Sequence, residues 1–257
     1  MNHHPKKVFE SSTAIVLDDF LPQSVFEKVH NYVLTADYER INKTGTGIWH
    51  VHDGFPLKSE PCYYRPGRQG KSGTDKVYPS GTALDPFIDH MVALLPQVEY
   101  FVGRPQETWK QFSVVPSIFP PGTSLSTHAH YFVTEKQGGD ELTGAFVYFL
   151  NPEWRVHWGG LLLLIDEDGN KMINEYRRAA ATGDGSQKTD ANWLVLKDPR
   201  VGDEVQRLLM EHGLGQVVFP KNNRLVFIAN EVYHQITRVN EQAGDNGRMS
   251  LTGFFTR

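Results

Sequence analysis

The chain has 257 residues, 26 Lys and Arg against 30 Asp and Glu, a formal charge of −4, and 39% hydrophobic and 12% aromatic residues. Such a composition buries a core and excludes wholesale disorder; lacking a basic excess, it argues against nucleic acid or an anionic membrane as the main partner. The single cysteine, Cys62, excludes an internal disulfide framework and fits a reducing compartment, and no apolar run is long enough to span a bilayer. The N-terminus lacks the apolar core of a signal peptide. The expectation is one soluble, cytoplasmic domain over 1–257.

Residues 8–21 read as a strand leading into a helix, with Ala14-Ile15-Val16-Leu17 as the apolar run and Pro22 placed for a first helical turn. Val25, Phe26, Val29 and Val33 carry a helical stripe toward Asp37. The stretch 41–83 reads as a long irregular segment, and a loop of that length marks a lid or a binding segment. Within it, Trp49-His50-Val51-His52-Asp53-Gly54 reads as a turn with histidines on its surface or over the pocket, since no third metal donor is suggested nearby. A second helix opens at Asp85-Pro86, with Asp85 as cap, Phe87, Ile88, Met91, Leu94 and Leu95 inward, and Pro96 near its end.

Strands then dominate: Trp109 to Phe119, Gly144 to Leu150, Gly159 to Ile165, Gln216 to Phe219, Arg224 to Ala229 and Ser250 to Thr256. Residues 166–215 break the pattern with acidic, Gly-rich and helical pieces, Val201 to His212 among them, and read as an insertion between core strands. Two early helices followed by a run of strands predict a mainly β fold, a barrel or sandwich with helices flanking one face.

The chemistry concentrates at Gly122-Thr123-Ser124-Leu125-Ser126-Thr127-His128-Ala129-His130. His128 and His130 sit two apart in an extended stretch, so their imidazoles leave on one face and can share a metal with a third donor. His234, beyond the apolar run Leu225 to Ala229, is the candidate third. Three neutral nitrogen donors suit iron(II), zinc, copper or nickel better than magnesium or calcium, and iron heads the list. The bland alternative is that the histidines pack in a core. Arg248 offers a planar fork that matches a carboxylate, and Ser250 shares its strand face and adds a hydroxyl.

In order along the chain, these pieces resemble the iron(II)- and 2-oxoglutarate-dependent dioxygenases of the prolyl-4-hydroxylase-like branch. The pieces are Pro121-Gly122 leading to His128, Val147-Tyr148-Phe149-Leu150-Asn151 with Trp154, Gly159-Gly160-Leu161, Pro220 with Arg224-Leu225-Val226-Phe227 leading to His234, and Arg248-Met249-Ser250. Each fragment is weak alone; their common order over 105–257 is specific. The resemblance implies a double-stranded β-helix core over 105–257, carrying the 166–215 insertion and preceded by helices and a substrate-lid loop over 1–104. It implies iron(II), 2-oxoglutarate and O2 as cofactor and cosubstrates, with Arg248, Ser250 and Tyr148 on 2-oxoglutarate, although strict register against Leu150-Asn151 puts Phe149 where relatives carry that tyrosine.

The family pattern is His-x-Asp with a distal His, and here the Asp position is His130. His130 completes a three-histidine set with His128 and His234, or leaves a coordination site for water, chloride or a carboxylate such as Glu135, Asp140 or Glu141, or marks an inactive site. The expected activity is oxidation of an unactivated C–H bond, by hydroxylation, in a small metabolite such as an amino acid or natural-product intermediate. Trp49, His50 and Arg65 are the candidate substrate contacts. The alternatives are a three-histidine dioxygenase without 2-oxoglutarate, a halogenase if His130 does not ligate, and a non-catalytic metal-binding relative.

Overall fold

A computed structural model of the chain describes residues 4–41, 52–67, 75–129, 142–182, 207–213 and 215–257. His130, Trp49 and His50 lie outside the described residues, as do Glu135, Asp140 and Glu141. The chain opens with an antiparallel pair, β1 (Lys6–Glu10) and β2 (Ala14–Asp18), and then α1 (Gln23–Thr35), which buries Phe26, Val29 and Val33 as the stripe predicts. Pro22 is the N-cap of α1 rather than part of its first turn.

A short strand β3 (Glu39–Arg40) precedes the stretch expected to be irregular, and the described parts of that stretch contain four more: β4 (His52–Asp53), β5 (Leu57–Lys58), β6 (Cys62–Tyr64) and β7 (Lys76–Val77). Two or three residues cannot display a period, so no sequence pattern announces them. Helix α2 (Leu84–Val102) starts one residue before Asp85. Asp85 lies in its first turn, where its carboxylate accepts from the Ser80 amide (2.8 Å), the Ser80 hydroxyl (2.7 Å) and the Gly81 amide (2.7 Å). Pro96 lies inside the helix, not at its end, and Val98 and Val102 continue the buried face beyond it.

The remaining strands are β8 (Gln111–Phe119), β9 (Ser124–His128), β10 (Leu142–Phe149), β11 (Leu162–Leu164), β12 (Gln216–Val218), β13 (Leu225–Ala229), β14 (His234–Ile236) and β15 (Arg248–Thr256), with α3 (Glu167–Thr182) between β11 and β12. Among the described residues a ten-stranded sheet takes the order β1-β2-β13-β10-β15-β8-β5-β3, with β6 beside β8 and β7 beside β6; a five-stranded sheet takes the order β12-β11-β14-β9-β4. From β8 to β15 the chain alternates between the two sheets, with β11 and β12 adjacent in the smaller one, which makes the core a double-stranded β-helix.

Strand alternation sorts the side chains of the large sheet onto two faces. Phe146 and Tyr148 of β10, Leu225 and Phe227 of β13, and Met249, Leu251 and Phe255 of β15 pack with the apolar faces of α1 and α2. Ala145, Val147 and Phe149 turn the other way, toward Leu162, Leu164, Val218, Val226 and Ile228 between the sheets. Each fully buried Phe contributes about 1.5–3 kcal/mol by leaving water, so the helices serve as a supporting layer behind the barrel wall. No described helix is long and apolar enough to cross a membrane.

Candidate active site

Strand β14 pairs with β9 so that His234 stands directly opposite His128. Their ring centroids are 4.3 Å apart and their planes meet at 51°. The next paired positions are Ile236 and Leu125, so β9 spends three residues where β14 spends two. That extra residue is a β-bulge.

Each imidazole is oriented by its own strand: Nδ1 of His128 lies 2.8 Å from the Ser126 carbonyl, and Nδ1 of His234 lies 2.8 Å from the Val232 carbonyl. A carbonyl only accepts, so Nδ1 holds the proton and the lone pair is on Nε2, the arrangement by which metal-binding histidines are held. Burial lowers the His234 pKa to about 4 and keeps the ring neutral, as a ligand must be. Among the described residues no group of three His, Cys, Asp or Glu side chains is placed to hold an ion; the pair provides two donors, and the expected third, His130, is not described.

Arg248 begins β15 and is completely buried. Nε donates to the Gly160 carbonyl at 2.8 Å and Nη1 to Ser250 Oγ at 3.3 Å, so the Ser250 hydroxyl keeps its own proton to donate. Nη2 is buried with no hydrogen-bond partner among the described residues. The guanidinium carbon lies 4.8 Å from the Phe149 ring centroid and 5.8 Å from that of Phe119. Burial draws the Arg248 pKa to about 9, and the group stays cationic at neutral pH.

The glycine pair explains the Gly160 contact. Gly159 and Gly160 adopt φ of 71° and 65°, and a Cβ on Gly160 would sit 2.9 Å from Arg248 Cδ. Only glycine turns the chain there and lets its carbonyl reach the guanidinium.

Two expected contacts are not brought to this site. Tyr148 lies on the helix face, against Phe20 and Phe87, and donates its hydroxyl to Asn223 Oδ1 at 2.7 Å. Its neighbour Phe149 occupies the interior instead, because adjacent strand residues point oppositely. Arg65 donates to Gln111 Oε1 (2.8 Å) and Asp75 Oδ2 (2.9 Å) beside Tyr63. Gln111 lies six residues along β8 from Ser117, which faces Ser250, and that is roughly 20 Å of strand.

Sequence reasoning missed the way α3 supports the pair. Ile173 packs with Ala129 and Tyr233, the neighbours of the two histidines. Asn170 accepts from the Tyr233 amide at 2.7 Å and donates to the carbonyls of Ile165 (2.6 Å) and Asp166 (2.7 Å). An Asn near the start of a helix carries by itself no signal of that role.

Residues 112–256 match the profile of the 2OG-Fe(II) oxygenase superfamily. The chain belongs to that superfamily. The oxygenase is therefore a dioxygenase that works with iron(II), 2-oxoglutarate and O2. Its fold is similar to that of a Pseudomonas putida prolyl-4-hydroxylase (17% identity, 95% of this chain and 92% of that one, TM-score 0.56). It is similar also to a Trichoplax adhaerens prolyl hydroxylase solved with a hypoxia inducible factor peptide fragment (11%, 96% and 84%, TM-score 0.53). HygX from Streptomyces hygroscopicus, solved with nickel and 2-oxoglutarate, is a third (10%, 95% and 83%, TM-score 0.52). No curated protein matches the oxygenase. The neutral, carbonyl-anchored histidine pair suits a metal of this class, and the open Nη2 of Arg248 suits a carboxylate.

Proposed function

We propose that the oxygenase hydroxylates an unactivated C–H bond of a small metabolite, with His128 and His234 on the iron and Arg248 and Ser250 on the far carboxylate of 2-oxoglutarate. The observation that carries this reading is Arg248: a buried cation with an N–H edge that no described residue uses, flanked by two phenyl rings, in the same interior as a neutral histidine pair. Burying a guanidinium without an anion is unfavourable, so the position is built for one. Bound there, iron(II) and 2-oxoglutarate supply C–H oxidation by O2 coupled to decarboxylation of the cosubstrate to succinate. The chain's own part is to keep the imidazoles neutral and aimed, hold the diacid and exclude water.

A small substrate is supported by how the chain closes the barrel. β4 lies beside β9 in one sheet and β5 beside β8 in the other, with only Gly54, Phe55 and Pro56 between them. The crossing packs tightly on the 122–123 turn: a Cβ on Gly54 would stand 2.8 Å from the Gly122 carbonyl. One side of the interior is thereby walled. Among the similar folds, HygX is solved with hygromycin B bound, a small molecule, whereas the Trichoplax protein carries a peptide fragment.

The test is iron(II)-dependent succinate formation, with loss of both turnover and 2-oxoglutarate binding in Arg248→Ala. Unchanged 2-oxoglutarate affinity in that variant overturns the reading. His130→Asp asks about the remaining ligand position: retained or improved hydroxylation assigns His130 to the iron in place of the family's carboxylate, and complete loss gives it a task that a carboxylate cannot do.

A further inference from the structure

The loop that leaves β10 grips Arg248 at both of its ends. Just past Phe149 and Ser250, the last paired residues of β10 and β15, Leu150 still donates its amide to the Met249 carbonyl at 3.1 Å. From there a side chain takes over the ladder. Buried Asn151 accepts from the Met249 amide at 2.7 Å and donates Nδ2 to the Gly247 carbonyl at 2.8 Å. A backbone N–H only donates and a carbonyl only accepts, so these partners fix both ends of the carboxamide. The Gly247 carbonyl and the Met249 amide belong to the two planar peptide groups that bracket Arg248. One side chain thus pins the chain on either side of the Arg248 Cα.

Further along the same loop, Trp154 acts at the far end of the arginine. Its Nε1 donates to the Gly159 carbonyl at 2.8 Å, while the N–H of that same peptide group, on Gly160, donates to the Arg238 carbonyl at 3.2 Å. The following carbonyl, that of Gly160, is the one that receives Arg248 Nε at 2.8 Å. The indole also presses on this turn, since a Cβ on Gly160 would stand 3.2 Å from Trp154 Cζ2.

We propose that Asn151 and Trp154 are positioning residues for the cosubstrate, holding the base and the tip of Arg248 so that its guanidinium is already aimed at the far carboxylate of 2-oxoglutarate. This rests on the role given to Arg248 in the proposed function above. An Arg side chain has many rotamers to lose, and a small turn at its Cα is magnified along its length. Fixing both ends removes that freedom before the diacid arrives, which converts into affinity. Both residues act through backbone groups, so replacing them leaves Arg248, Ser250 and the histidine pair in the chain.

The experiment uses the full chain loaded with Mn(II) and compares 2-oxoglutarate with 2-oxopentanoate, which has the same carbon chain but no far carboxylate. Calorimetric titration gives a Kd for each, and their ratio reads the Arg248 contact apart from the metal contact. Asn151→Leu, close to the native side chain in shape, and Trp154→Phe each lower this preference for the diacid at least about fivefold, while the 2-oxopentanoate Kd stays within about twofold. In an Arg248→Ala background neither substitution changes the ratio further, because the contact they aim is gone. Thermal melts establish that the variants fold, and Trp154→Phe carries the test if Asn151→Leu does not. In either variant, equal weakening of both acids, weakening of neither, or an effect undiminished by Arg248→Ala overturns the proposal and leaves the residue a support of the fold alone. Absence of any diacid preference in the wild-type protein, or a preference that survives Arg248→Ala, overturns the proposed function itself, a separate and distinguishable result.

Discussion

Arg248 lies over Phe149, with 4.8 Å between the guanidinium carbon and the ring centroid. The ring holds the cation by its face but cannot satisfy the N–H groups at its rim. The arrangement makes the protein without cosubstrate less stable than an apolar interior would. Arg248→Met is expected to leave the melting temperature of the ligand-free protein unchanged or higher, while the stabilisation given by 2-oxoglutarate disappears. Differential scanning calorimetry with and without 2-oxoglutarate measures both effects; a loss in affinity of less than about thirtyfold, or about 2 kcal/mol, contradicts the role assigned to this residue.

The histidine pair predicts a metal response. His128→Ala and His234→Ala should each abolish the rise in melting temperature produced by iron(II) or nickel(II). The loss in metal affinity should exceed the roughly 10–100-fold that follows removal of a group merely supporting a ligand. Equilibrium dialysis against the metal decides it, and retention of full affinity in either variant removes that histidine from the ion.

Tyr148 predicts the opposite pattern. Its hydroxyl donates to Asn223 Oδ1, which also accepts from the Leu21 amide at 2.8 Å while Asn223 Nδ2 donates to the Leu21 carbonyl at 2.8 Å. Tyr148→Phe therefore costs about 1–2 kcal/mol in urea unfolding and leaves 2-oxoglutarate affinity unchanged. A specific loss of cosubstrate binding with stability intact would return Tyr148 to the site.

Asp18 predicts an acid-sensitive part of the fold. Burial raises its pKa, but Arg224 (Nε 2.7 Å away) and Lys221 (Nζ 2.6 Å away) outweigh that and hold it below the usual carboxylate range. The folded state therefore binds this proton less readily than the unfolded chain. The stabilisation is complete above the unfolded pKa of about 3.9 and is lost as the pH falls through the lower folded value. Asp18→Asn should cost about 1–3 kcal/mol at pH 7, less than a fully buried pair because Lys221 is half exposed, and should flatten the stability curve below about pH 4.

The parts of the fold with a long period were legible. Phe26, Val29 and Val33 in α1, the apolar runs of β10 and β13, and the spacing of Arg248 and Ser250 all follow from side-chain geometry that extends over several residues. The two-residue strands β4 and β5 were not, because their pairing is set by β9 and β8 rather than by their own residues. The Tyr148–Phe149 choice turned on a shift of one residue, and strands invert their faces at every step.

That same sensitivity gives the bulge in β9 its meaning. Leu125 and His128 both look inward only because three residues there are matched against two on β14. A step of the same three residues run as regular strand, without the bulge, would put Leu125 and His128 on opposite faces, with every ligand-type residue still in the polypeptide. The position of the histidine pair is in this sense fixed by a miscount between two strands: a chain that straightened this one step could retain both imidazoles and still turn one of these two inward side chains away.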